Sequence, residues 1–180
     1  MTDFNHLFAQ RVLGTPSSIV RDILDFSKMP HIISLAGGIP APDMFDIEGI
    51  DEALKVAASF GIDAYQYSLT PGEVSLRDEI AKLLEMRNIT TNREHLVVTN
   101  GSQQALDLVA RSFLDEKDII LVGRPTYLAA LQVFSMLGAT MEEIDETVTG
   151  PDLDALEKRL EEGAAVKALY IVPTFANPTG

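Results

Sequence analysis

The sequence has 180 residues, of which 46% are hydrophobic and 23% charged, with no cysteine and a formal net charge of −13 at pH 7. This composition is typical of a globular protein and excludes disulfides, thiolate metal sites and a cysteine nucleophile. The charge argues against nucleic acid or an anionic membrane surface as a partner, and the lack of a long apolar run or a signal-peptide pattern predicts a cytoplasmic protein without a membrane span.

The first 46 residues give mixed signals. A short helix is predicted over residues 17–26, where Ser17 or Ser18 can serve as the N-cap. A short apolar strand follows at residues 31–36 and leads into glycines and prolines. Such a segment has no core of its own, so we expect it to pack on another domain or another chain.

From Ile47 onwards, helices and strands alternate. Helices are predicted over residues 47–60, 74–87, 102–114, 126–137 and 153–163, and strands over residues 95–99, 118–123, 139–145 and 167–173. This alternation predicts an α/β fold with a mainly parallel sheet flanked by helices on both faces. Ligands of such sheets bind beyond the carboxyl ends of the strands, where three loops carry unusual residues.

Each of these three loops can be interpreted in two ways. Gly101, Ser102 and Gln103 open a helix whose N–H groups suit a phosphate, or they are an ordinary helix cap. Tyr127 is a ring that can lie on a planar ligand, or a core tyrosine. Asn177 is an amide donor, or a turn asparagine before proline. Taken together, the three loops favour a pocket for a planar, phosphorylated, aromatic cofactor, and pyridoxal 5'-phosphate fits that description.

Six stretches carry a resemblance to a known family: ISLAGGIPAP, YQYSLTPGEVSLRDEIA, VVTNGSQQALDLVARSFLDEKD, RPTYLAALQVF, GPDLDALE and YIVPTFANPTG. In this order they resemble the N-terminal half of the fold type I aminotransferases, in the branch of 2-aminoadipate and kynurenine aminotransferases and of the aminotransferase-like domains of MocR regulators. The resemblance implies a pyridoxal-phosphate enzyme of amino-acid metabolism. It would pass the amino group of an α-amino acid to a 2-oxo acid such as 2-oxoglutarate.

The resemblance also implies roles for cofactor-binding residues. Gly101, Ser102 and Gln103 would hold the cofactor phosphate, and Tyr127 would stack on the pyridine ring. Asn177 would bond the ring hydroxyl oxygen and help to seat the substrate carboxylate.

Three further positions are implied to serve the substrate or a neighbouring subunit. Gly38 would lie against the substrate carboxylate, and Arg21 would face the substrate side chain. Tyr67 would reach across a homodimer interface to the neighbour's phosphate. By the same resemblance, residues 1–46 form an N-terminal arm and small-domain segment, and residues 47–180 form the first part of the large cofactor-binding domain.

The catalytic groups of the resembled family are not among these residues. None of the six lysines has the serine-rich context of the Schiff-base lysine, and they are Lys28, Lys55, Lys82, Lys117, Lys158 and Lys167. The three histidines form no metal pattern. We therefore expect the chain to be an N-terminal fragment that is inactive by itself. The alternatives are a sensing domain of a MocR-type regulator, a carbon–sulfur lyase of the same fold, or a binding or structural remnant.

Overall fold

The computed structural model describes residues 4–13, 29–33, 40–163 and 165–180. Its α-helices are α1 (Gln10–Leu13), α2 (Ile47–Ser59), α3 (Val74–Glu85), α4 (Gly101–Phe113), α5 (Leu128–Met136) and α6 (Leu153–Glu161). Its strands are β1 (Ile119–Arg124), β2 (Thr140–Thr147), β3 (Gly150–Pro151) and β4 (Val166–Tyr170). Four short 3₁₀ helices lie at Asn5–Leu7, Pro42–Met44, Gly61–Tyr65 and Arg93–His95.

The described strands form a sheet in the order β3-β2-β1-β4, with β1 at its centre. Strand β1 is parallel to β2, with Ile119 opposite Thr140, and parallel to β4, with Val122 opposite Tyr170. Only the two-residue strand β3 runs antiparallel, as the second arm of a hairpin with β2. The predicted α/β fold with a mainly parallel sheet is therefore confirmed.

The main core lies between one face of this sheet and helices α4 and α5. Ile120 and Val122 of β1 belong to the buried cluster, together with Ala110 of α4 and Phe134 of α5. Leu121 points to the opposite face, because side chains alternate along a strand, and it is completely buried. Both faces of β1 are thus covered, which explains why its sequence is a continuous apolar run.

Helix α6 packs on the other face through an ion pair. The guanidinium of Arg159 donates to both carboxylate oxygens of Glu142 in β2, at 2.5 and 2.9 Å. The two side chains are only 20% and 33% exposed. The helix begins after Asp152, whose carboxylate accepts a hydrogen bond from the backbone N–H of Ala155 at 3.0 Å. This ion pair therefore holds α6 on the sheet, next to the leucine side chains of the same helix.

By their contacts, Ile39–Asn100 form one compact unit, and Gly101–Gly180 form the other together with the described part of Met1–Gly38. In the unit of Ile39–Asn100, the buried polar residue is Arg77, which is 5% exposed. Its guanidinium donates to the backbone carbonyls of Gly72 at 3.2 Å and Arg93 at 2.7 Å. This arginine therefore holds the turns on either side of α3.

The predicted helices and strands after Ile47 are confirmed with one exception. Residues 96–99, within the predicted strand 95–99, are extended but form no ladder with any described residue. The N–H of Val98 instead donates to the carbonyl of Pro71 at 2.9 Å. That strand prediction is wrong for the described chain, because an apolar run becomes a strand only when a neighbour takes its backbone hydrogen bonds. The helix predicted at 17–26 and the second half of the strand predicted at 31–36 lie outside the described residues.

We expect the contact between Glu142 and Arg159 to make stability depend on pH. The hydrogen bonds from Arg159 lower the pKa of Glu142 below its ordinary value. A carboxyl whose folded pKa is depressed stabilises the fold above its unfolded pKa, and this contribution is lost as the pH falls through the folded pKa. Urea unfolding from about pH 3 to 7 should therefore show a shallower acid decline for Arg159→Met than for the unchanged protein.

The exposed neighbour Lys158 provides the matched control, since Lys158→Met removes one positive charge from the same helix without touching Glu142. The free energy of unfolding of Lys158→Met should change with pH in the same way as that of the unchanged protein. If the free energy of unfolding falls with pH in parallel for the unchanged protein and both variants, the contact between Glu142 and Arg159 does not cause the acid decline.

Candidate functional site

The first turn of α4 is open to a ligand. Gly101 begins the helix with φ of +76°, and no heavy atom lies within 4 Å of the position that a Cβ would occupy. Ser102 and Gln103 follow it and are exposed. The N–H groups in the first turn of a helix have no carbonyl partner within the helix, and they carry the positive end of its dipole. This turn can therefore bind an anion.

Gln103 links this turn to the next helix. Its side-chain Nε2 donates to the backbone carbonyl of Ala129, at 3.3 Å. Ala129 lies in the first turn of α5, two residues after Tyr127, which is the N-cap residue with an extended backbone (φ −69°, ψ 115°). The structure thus links the turn of Gly101, Ser102 and Gln103 to the start of the helix that follows Tyr127.

Tyr127 is partly buried and packs against the main core cluster. Tyr170, the last residue of β4, packs against the same cluster. Burial raises the pKa of the Tyr170 hydroxyl, and the nearby Tyr127 adds to this effect. Tyr127 therefore packs against the core at the edge of the sheet. The two interpretations from sequence, a core tyrosine and a ring that can lie on a planar ligand, are compatible.

Asn177 lies in the turn after β4, and its peptide bond to Pro178 is cis. The N–H of Gly180 donates to the carbonyl of Ala176 at 2.5 Å and closes this turn. The side chain of Asn177 is exposed and makes no hydrogen bond to any described residue. Because β1 and β4 are parallel, the loop with Asn177 leaves the sheet at the same edge as the loop with Tyr127.

The remaining predicted residues are Tyr67, Arg21 and Gly38. Tyr67 is 98% exposed and belongs to the other compact unit. Arg21 and Gly38 lie outside the described residues. The residue that sequence reasoning missed is Tyr170, which pairs with Val122 in the sheet and packs edge to face against Phe134 in the core.

The cation at this edge is Arg124, at the end of β1. Its guanidinium donates to Asp145 at 2.6 Å and to Glu143 at 3.1 Å, both on β2. The hydrogen bond to Asp145, and then that to Glu143, raises the pKa of Arg124 above its ordinary value. This arginine is therefore already engaged by two carboxylates of β2.

Two other kinds of feature are absent from the described parts of the chain. No group of three or more His, Cys, Asp or Glu residues there has the geometry to hold a metal ion. No helix in those parts has the length and hydropathy needed to span a bilayer.

Comparison with known proteins decides the family. Residues 17–180 match the family described as aminotransferase class I and II. This chain is a member of that family. An aromatic-amino-acid aminotransferase of Thermococcus litoralis is 40% identical over 99% of the chain and 44% of its own length. The predicted membership in the fold type I aminotransferases is thereby confirmed for this N-terminal half.

Two solved structures support the same fold. Kynurenine aminotransferase of Pyrococcus horikoshii superimposes with a TM-score of 0.90 at 39% identity, covering 99% of this chain and 45% of the other. The α-aminoadipate aminotransferase LysN of Thermus thermophilus, in complex with N-(5'-phosphopyridoxyl)-L-leucine, gives 0.84 at 36% identity, covering 99% and 43%. The chain thus spans less than half the length of the relatives it matches. More distant relatives include helix-turn-helix transcriptional regulators of Escherichia coli and Bacillus subtilis, at 26–30% identity.

The left-handed backbone at the start of α4 gives a stability prediction. We expect Gly101→Ala to lower the free energy of unfolding by about 1–2 kcal/mol, because a Cβ is strained in this region even where space is free. Gly163 after α6 is the matched control, with φ of +75° and equally open surroundings. In urea unfolding, Gly163→Ala should lower the free energy of unfolding by about the same amount. A large difference between the two losses would mean that Gly101 is constrained by something other than its backbone.

Proposed function

We propose that the protein containing this chain is a pyridoxal-phosphate-dependent aminotransferase that moves an amino group from an α-amino acid to a 2-oxo acid such as 2-oxoglutarate. The observation that carries the proposal is the open first turn of α4 at Gly101, tied through Gln103 to the helix that begins after Tyr127. The N–H donors of this turn fit the phosphate of the cofactor, and the aromatic ring of Tyr127 fits its pyridine ring. The phosphopyridoxyl group bound to the Thermus relative supports the same cofactor.

Each cofactor-binding residue has a separate task in this proposal. The N–H groups of the turn and the hydroxyl of Ser102 bind the phosphate, while Gln103 contributes its backbone N–H and keeps its side chain for Ala129. Tyr127 lies on one face of the cofactor ring. Asn177 donates to the ring oxygen and orients the substrate carboxylate. When bound, the cofactor accepts the amino group and withdraws electrons from the bonds of the substrate α-carbon.

The proposal extends to residues outside this edge. Gly38 lies against the substrate carboxylate, Arg21 faces the substrate side chain, and Tyr67 serves the phosphate of the neighbouring subunit in a homodimer. The full exposure of the Tyr67 ring supports a contact with another surface. Exposed apolar residues on α2, which are Ile47, Ile50 and Leu54, support a covered surface in the same unit.

In the whole protein, residues 1–46 belong with an N-terminal arm and small domain, and residues 47–180 begin the large domain. The proposal places the enzyme in cytoplasmic amino-acid metabolism.

The similarity to helix-turn-helix regulators supports one alternative function, a sensing domain. A net charge of −13 disfavours direct contact between this chain and nucleic acid, so we assign it no nucleic-acid partner. A carbon–sulfur lyase is separated from a transaminase by its products. A lyase releases ammonia from the amino acid without an acceptor, whereas a transaminase consumes one 2-oxo acid for each amino acid.

The two glycine variants test the proposed cofactor site. In the whole protein, Gly101→Ala should weaken the binding of pyridoxal phosphate, because the added methyl group stands where the phosphate approaches. Gly163→Ala carries the same backbone strain away from the site and should bind the cofactor as the unchanged protein does. Equal affinities of both variants and the unchanged protein, measured by equilibrium dialysis, would remove the first turn of α4 from the phosphate site.

Asn177→Ala in the whole enzyme should lower kcat/KM by one to two orders of magnitude. The substitution removes hydrogen bonds to the charged ring oxygen and the substrate carboxylate, and such a bond is worth about 1.5–3 kcal/mol. Steady-state kinetics with saturating cofactor measure the effect. Unchanged kinetics, together with an unchanged pH titration of the cofactor absorption, would place Asn177 outside the site.

Mixed dimers test whether Tyr67 acts across the interface. One subunit carries Tyr67→Ala and the other Tyr127→Ala, each of which should impair a homodimer. If Tyr67 serves the neighbour, one site of the mixed dimer collects both defects and the other has none, so activity recovers to about half per dimer. If Tyr67 serves its own subunit, every site keeps one defect and mixing restores nothing. Native mass spectrometry should confirm that mixed dimers form.

A further inference from the structure

Residues 66–73, the Tyr67 loop, lead into α3 and are tied to the start of that helix. The hydroxyl of Ser68 donates to the carboxylate of Glu73 at 3.0 Å. Glu73 is the N-cap residue of α3, and its carboxylate also accepts a hydrogen bond from the first N–H of the helix at 3.2 Å. The residue that directly follows Tyr67 is therefore held at a helix N-terminus.

The other end of the Tyr67 loop packs closely against Val98. The N–H of Val98 donates to the carbonyl of Pro71 at 2.9 Å, and the N–H of Gly72 donates to the carbonyl of Leu69 at 2.8 Å. A Cβ added to Gly72 would lie 2.7 Å from Cγ2 of Val98, far inside the usual separation of two carbon atoms in contact. The backbone of the loop thus lies directly against Val98, and only glycine fits at this contact.

Arg77 holds this contact from inside the unit. It lies at the end of the first turn of α3 and is only 5% exposed. Its Nε donates to the carbonyl of Gly72 at 3.2 Å, and its Nη1 donates to the carbonyl of Arg93 at 2.7 Å. A guanidinium presents several donors in a rigid plane and can bridge two carbonyls, whereas a lysine ammonium is a compact point of attachment. Arg77 therefore bridges the Tyr67 loop and the segment that leads to Val98.

We propose that Arg77 is a positioning residue, which holds the Tyr67 loop in the shape that presents Tyr67 to the cofactor phosphate of the neighbouring subunit. The inference rests on the proposed function, since Tyr67 is assigned there to that phosphate. Tyr67 is 98% exposed, so its place is set by the backbone of the loop and not by packing of its ring. A loop that is fixed before its partner arrives loses less conformational entropy on binding, which strengthens the complex. Arg77 acts on the phosphate only through this loop.

Hydrogen exchange in the whole protein without cofactor tests whether Arg77 holds the loop. The reporters are the amides of Gly72 and Val98, which make the backbone hydrogen bonds of the loop. In Arg77→Lys we expect both to exchange about ten times faster, because the loop opens more often once a hydrogen bond from a charged donor is lost. Arg87→Lys is the matched control, since it makes the same chemical change at an exposed arginine in the turn after α3. Both amides should exchange in this control as in the unchanged protein.

The amides of β1 distinguish local opening from a general loss of stability. They should exchange equally in Arg77→Lys and in the unchanged protein, because lysine keeps the positive charge and most of the aliphatic stem. Equal acceleration of the β1 amides and of those of Gly72 and Val98 would overturn the proposal, since Arg77 would then serve only global stability. Unchanged exchange at Gly72 and Val98 would overturn it as well.

Mixed dimers test whether the loop serves the neighbouring subunit. Homodimers of Arg77→Lys should bind pyridoxal phosphate with a Kd about three- to tenfold higher, the range expected for the loss of one hydrogen bond. In the mixed dimer the other subunit carries Tyr127→Ala. If Arg77 acts through its own Tyr67 on the neighbour, one site collects both defects and the other keeps the Kd of the unchanged protein. If Arg77 acts within its own subunit, equilibrium dialysis should find both sites weakened, and the proposal is wrong.

The two readouts separate this inference from the proposed function. If Gly72 and Val98 exchange faster in Arg77→Lys but the unchanged whole protein binds no pyridoxal phosphate, the hold of Arg77 on the loop stands and the proposed function fails. If the unchanged protein binds the cofactor but no site of the mixed dimer keeps its Kd, the cofactor assignment stands and the positioning role fails.

Discussion

The parallel pairing of β1 with both of its neighbours is the constraint on which the candidate site depends. A chain that must re-enter a sheet in the same direction has to return along a face of that sheet, and here it returns through helices. Consequently β1 and β4 both release their loops at one edge. The groups in these loops are far apart in sequence, and the common direction of the strands is what brings Tyr127 and the turn with Asn177 to the same side.

Exposed groups at this edge are held by buried ones. The residues of the first turn of α4 are exposed, yet the side chain of Gln103 ties that turn to α5, and α5 is anchored in the core through Phe134. Tyr127 is half inside this core. The same packing that stabilises the sheet therefore limits how far the site can deform, which is the arrangement expected for a binding site built on rigid elements.

Much of this arrangement could be predicted from sequence, because the apolar periodicities of α2 to α6 and the apolar run of β1 are local signals. The strand expected at residues 95–99 was predicted wrongly, because strand formation depends on a partner strand that a local pattern does not reveal. The link between the turn at Gly101 and the helix after Tyr127 depends instead on the hydrogen bond from Gln103 to Ala129, which the sequence does not reveal. The contact of Tyr170 with Phe134 could not be found in this way, because it depends on the register of β4 against β1.

The electrostatics of the edge explain how an anion can be bound in a chain with a net charge of −13. Strand β2 brings Glu143 and Asp145 towards the site, and unpaired carboxylates there would repel a phosphate. Arg124, directly opposite Asp145 in the register, donates to both and offsets part of their negative charge. An anion at α4 then meets the helix dipole and neutral N–H donors, which keep their character across the physiological pH range. The position of these donors is held in part by Gln103, whose side chain ties the turn to the backbone of Ala129.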